Sequence, residues 1–263
     1  MKKIQDFGAL IFPTFWTALM CGCFVYYSID FKQVEQLEFA LSLGLFCFSG
    51  YNMQRIWKMK LRIQQHRRSA YLLKKFAKPY LILTLISFGV GMYLFAPFSK
   101  NLRNDYLILA VFPILYVGYI YKSSVVKPLR EYLILKNAVV AGVWLGFIYV
   151  LPHLVYSAEI IFYDGIKYFC FLFFLATSAD AYDTKIDKSI LRSIPMVTKN
   201  RLFVVLQLVL IAPMIYSFAW DWESLVVGLG LLLALFHSYF FRNQFFLGKI
   251  IFDALLGLLC MLN

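Results

Sequence analysis

Three carboxylates, Asp180, Asp183 and Asp187, stand at positions i, i+3 and i+7. On a helix this spacing puts all three on one face. Three negative charges within two turns repel one another unless a cation lies among them. Hard divalent ions take oxygen ligands, and Mg2+ is often held by one or two carboxylates together with substrate phosphates. The triad also closes an apolar run, where a carboxylate is costly to place. It therefore reads as a metal–diphosphate site. The plainer alternative is a solvated helix end paired with Lys185 and Lys188.

A basic counterpart has the same spacing: Arg55, Lys58 and Arg62. Arginine suits phosphate through its planar fork of donors. Lys127, Arg130 and Lys136 could anchor the same anion, or simply mark one side of a membrane. Asn137 could hydrogen-bond in a cavity or to a neighbouring helix. Tyr121 and Tyr182 suit either a diphosphate or an interfacial belt. Asp253 sits mid-way along an apolar run, where a carboxylate costs about 2.5–3.5 kcal/mol on insertion scales. It should face a protein interior, as an acceptor contact or a protonated interhelical hydrogen bond.

Apolar residues make up 62% of the 263, charged ones 15%, and mean hydropathy is +0.71. A soluble domain is closer to about 45–50% apolar and about 25% charged. A bilayer accommodates that excess. Nine apolar segments lie near 7–29, 38–54, 79–98, 105–121, 133–152, 166–182, 201–219, 224–241 and 245–262. Each is near the length that crosses about 30 Å of hydrocarbon. Helices satisfy every backbone group in lipid, and the period-two alternation of a barrel is absent. The first segment is too long for a signal h-region and reads as an uncleaved span.

The net charge of +12 is unevenly spread. Of the 26 Lys and Arg residues, 22 fall in the N-terminal tail and the even-numbered connections. Basic loops stay inside, which predicts a cytoplasmic N-terminus and an outside C-terminus. This distribution makes the charge a topology and lipid-headgroup signal and excludes nucleic acid as the expected partner. Cys21, Cys23, Cys47, Cys170 and Cys260 lie inside apolar segments, with spacing that fits neither zinc nor a disulfide framework. They read as buried thiols.

The run Asp180-x-x-Asp183-x-x-x-Asp187, followed by Ser193-Ile194-Pro195, resembles the second aspartate motif of the UbiA prenyltransferase superfamily. The stretch Gly118–Tyr121, through Lys127-Pro128-Leu129-Arg130, to Lys136-Asn137 resembles the loop between that family's fourth and fifth helices. The resemblance implies an all-α bundle of nine transmembrane helices around a central cavity, one domain over residues 1–263. It implies a transferase that condenses an isoprenoid diphosphate with a lipophilic or aromatic acceptor, in a membrane expected to be the bacterial inner membrane. Asp180, Asp183 and Asp187 would hold Mg2+ on the diphosphate. Asn52 matches the opening of the family's first motif.

The rest of that first motif departs from the family. Its aspartate positions hold Met53, Ile56 and Lys60. Two outcomes follow. Arg55, Lys58 and Arg62 could bind phosphate directly while the acidic triad keeps one Mg2+. Alternatively the two triads pair, no metal enters, and the chain is an inactive lipid-binding or assembly protein.

Overall fold

The computed structural model describes residues 2–28, 34–60, 67–101, 133–187, 194 and 200–218. Within that range some side chains, among them those of 57–60 and 181–187, are not described. Every regular element among the described residues is helical. We label them α1 (Lys2–Ser28), α2 (Val34–Lys60), α3 (Arg67–Lys75), α4 (Ala77–Phe95), α5 (Leu133–Leu145), α6 (Leu151–Val155), α7 (Phe162–Asp187) and α8 (Asn200–Phe218). A 3-10 turn covers Phe98–Asn101, and a π-helical turn, Gly146–Val150, joins α5 to α6. The described residues fall into two compact units, one within Met1–Lys100 and one within Asn101–Leu262.

Among the described residues, three helical stretches are long and apolar enough to cross a membrane: Gln5–Tyr26, Ala77–Phe95 and Leu135–Val155. The expected segments 105–121, 224–241 and 245–262 lie outside the described residues. Two helices extend past the apolar segments that announced them. α2 continues through the basic stretch to Lys60, and α7 continues through the acidic stretch to Asp187. Straight-chain Lys, Arg, Gln and Met are good helix formers, so polarity alone does not stop a helix.

In the first unit α1 and α2 run antiparallel and meet at small residues. A Cβ on Gly44 would lie 3.1 Å from the Ala18 carbonyl oxygen, and one on Gly22 3.3 Å from that of Ala40. Small residues four apart on both helices let the backbones approach, a common device where lipid removes the hydrophobic drive. α4 packs on the next face of α2. Gly91 sits against the Phe46 ring, and Phe39, Phe46, Phe88, Phe95 and Phe98 interlock at centroid distances of 5.0–6.4 Å.

At the other end of the unit Leu10, Ile56, Leu72, Leu73 and Tyr80 form an apolar cluster. It brings together α1, α2, α4 and the short α3, which lies in the connection between the apolar segments 38–54 and 79–98. α3 forms because Leu72 and Leu73 are buried while Lys74 and Lys75 stay exposed in its last turn, where cations complement the helix dipole. Lys75 pairs with Asp6 at 2.8 Å. The hydrogen bond to that carboxylate raises Lys75 above its ordinary 10.5. The pair is therefore intact throughout neutral pH. On the lysine side it is lost as pH rises past the lysine range.

In the second unit α5 packs on α7, and α7 on α8. The π turn precedes Pro152, which has no N–H to give the regular ladder. α6 then ends in a Schellman cap. Ala158 N–H donates to the His153 carbonyl at 2.8 Å and Ser157 N–H to that of Leu154 at 3.3 Å, with Ser157 at φ 53°.

Candidate functional site

Each unit buries one polar cluster at the end to which its basic segments attach. In the second unit α5 contributes Lys136 and Asn137, and α7 contributes Asp180. Lys136 Nζ lies 2.5 Å from Asp180 Oδ1, and both side chains are largely buried. The other carboxylate oxygen, Asp180 Oδ2, is buried and has no partner. Asn137 is buried too, and its Nδ2 also lacks one. An open carboxylate oxygen and an open amide donor thus lie on the two helices that the ion pair joins. A buried polar atom without a partner is costly, by about 1–3 kcal/mol.

In the first unit the cluster is built around Asn52, which is fully buried. Tyr80 donates its hydroxyl proton to Asn52 Oδ1 at 2.5 Å. Thr14 and Arg55 also lie near that hydroxyl. Arg55 Nη1 donates to the Leu10 carbonyl at 3.2 Å. The contact lies one residue beyond Ala9, whose carbonyl has no ladder donor because Pro13 lacks an N–H. Asn52 Nδ2 is left without a partner.

The residues expected at a site from the sequence divide accordingly. Asn52, Arg55, Lys136, Asn137 and Asp180 have described side chains, and all five lie in these two clusters. Asn52, Asn137 and Asp180 each carry a buried orphaned atom. Lys58, Tyr182, Asp183 and Asp187 lie on α2 or α7 with side chains that are not described. Arg62, Tyr121, Lys127, Arg130 and Asp253 lie outside the described residues. Among the described residues no group of three or more His, Cys, Asp or Glu converges as a metal site. Asp180 is buried with one oxygen held by Lys136 and the other open.

Two participants carry no motif. Tyr80 lies at the start of the apolar segment 79–98. A signal was available, since Tyr80, Thr84, Ser87 and Gly91 make a polar and small stripe at helical period, and all four are buried. Gln207 was a lone amide in an apolar run. It is fully buried, and its Nε2 donates to Thr177 Oγ1 at 2.7 Å while its Oε1 accepts from Ser178 at 3.3 Å. These bonds tie α8 to α7 one turn from Asp180.

The class these features define is an all-helical chain, among the described residues, with helices able to span a membrane and buried polar clusters at their ends. No family model matches the chain, and no curated protein and no solved structure matches it.

Proposed function

We propose that this chain is a UbiA-like membrane prenyltransferase. It takes an isoprenoid diphosphate and transfers the prenyl group to a lipophilic or aromatic acceptor. In the full reading nine spans surround a central cavity, the N-terminus is cytoplasmic, and the membrane is the bacterial inner membrane. The observation that carries the proposal is Asp180. It is a buried carboxylate with one oxygen open, on the helix that also bears Asp183 and Asp187, beside Lys136 and Asn137.

Each group then has a chemical task. The allylic carbon–oxygen bond to diphosphate breaks, the acceptor's nucleophilic atom bonds to that carbon, and the acceptor loses a proton. Charge therefore builds on the departing diphosphate, and fixed donors aimed at it accelerate the step. Lys136 and Asn137 supply such donors from α5, and the resemblance assigns Asn52 the same task. Arg55, Lys58, Arg62, Lys127 and Arg130 add positive charge, with Tyr121 and Tyr182 orienting the anion. Asp253 would contact the acceptor. Mg2+, held by Asp180 with Asp183 and Asp187, would neutralise charge on the diphosphate.

A specific observation favours a second reading, an inactive lipid-binding or assembly protein on the same scaffold. Ile56 stands where the family's first motif has a carboxylate, and it is buried in the apolar cluster of the first unit. Radiolabelled geranyl diphosphate and a phenolic acceptor, incubated with the purified chain in lipid vesicles, separate the two. The enzyme releases diphosphate and forms prenylated product only with Mg2+, and Asp183→Asn slows this about 100-fold. Diphosphate binding with no turnover under any divalent ion would establish the inactive protein.

A further inference from the structure

The proposed reaction does not account for how Asn52 is held. Its Oδ1 accepts from Tyr80 at 2.5 Å while its Nδ2 has no partner. Tyr80 is fully buried, its ring packed with Leu10, Ile56, Leu72 and Leu73. The Arg55 guanidinium, a group that can only donate, stands near the hydroxyl. The one hydroxyl proton goes to Asn52 Oδ1, and that bond decides which way the amide points. Its NH2 remains as a buried donor without an acceptor.

We infer that Tyr80 is a positioning residue, which locks the Asn52 amide so that its NH2 is preset to donate to an anionic oxygen of a bound diphosphate. An unpaired buried donor gains most from an acceptor, and the positive charge of Arg55 nearby favours an anionic one. The choice of diphosphate rests on the proposed function; the Tyr80–Asn52 hydrogen bond does not. Replacing the tyrosine hydroxyl frees the amide to rotate while the ring still fills the apolar cluster. Tyr80 never needs to touch the ligand.

Two measurements on the purified full chain test this. The first needs no ligand: thermal unfolding of the wild type, Tyr80→Phe, Asn52→Ala and the double variant. Tyr80→Phe should lower the midpoint clearly in the wild type and much less once Asn52 is gone. Equal losses in both backgrounds would overturn the lock. The second is equilibrium binding of geranyl diphosphate. Tyr80→Phe should weaken it by about 10-fold, and the double variant should bind no worse than Asn52→Ala alone. Losses that multiply would show that Tyr80 acts independently and would overturn the proposal. Leu73→Ala, in the same apolar cluster, should lower the midpoint yet keep affinity within about twofold. A comparable affinity loss there would reduce Tyr80 to general packing. A wild type that binds no geranyl diphosphate would reject the diphosphate reading, and the unfolding cycle would still decide the Tyr80–Asn52 lock.

Discussion

Lys136→Ala is expected to destabilise the protein by about 3–5 kcal/mol, the range for removing one partner of a buried ion pair. The pair is short and largely buried, with side-chain exposures of 13% for Lys136 and 8% for Asp180. Truncating the lysine strands a carboxylate whose second oxygen already has no partner. The attraction itself is worth little net, because burying both charges costs nearly as much as pairing them returns. That asymmetry gives the control. Lys136→Met combined with Asp180→Leu removes both charges and keeps the volume, so it should recover most of the loss. Denaturation in detergent micelles reads all three variants. A neutral Lys136→Ala would mean that the two side chains are not paired out of water in the folded protein.

The second large effect is purely steric. Gly44→Leu is expected to cost about 3 kcal/mol, the upper end of the usual range for overpacking. A Cβ at Gly44 would stand 3.1 Å from the backbone oxygen of Ala18. A backbone carbonyl inside a helix cannot swing aside as a long side chain can. α1 and α2 must separate, and the Gly22–Ala40 approach loosens with them. Gly89→Leu is the matched control. A Cβ there meets nothing within 4 Å, so stability should stay within about 0.5 kcal/mol. Equal losses at the two glycines would mean that α1 and α2 do not cross at these residues.

Much of this was legible from residue types alone. Apolar length and the absence of a period-two pattern pointed to helices, the spacing of an acidic triad to Asp180, a polar residue inside an apolar run to Asn137, and the resemblance to the family's first motif to Asn52. All three proved buried with an orphaned atom. A polar group inside an apolar run is expensive, so its presence is informative before any fold is known. Partners were not legible. Lys136 and Asp180 are 44 residues apart and Tyr80 and Asn52 are 28 apart, and spacing on one helix says nothing about its neighbours. Asp180 pairs with a lysine 44 residues away and Arg55 reaches the backbone of α1, while the other members of the two triads lie outside the described side chains. The α1–α2 contact was hidden for another reason: glycine and alanine carry little signal until the helix that approaches them is known.

The proposed diphosphate site at the α5 and α7 ends has one direct test. Titrate geranyl diphosphate into the purified wild type and Asp183→Asn by calorimetry, each with Mg2+ and with EDTA. The site described here predicts binding that needs Mg2+ and weakens at least about tenfold in the variant, with the folded state retained. Affinity that ignores both the metal and the substitution would contradict it.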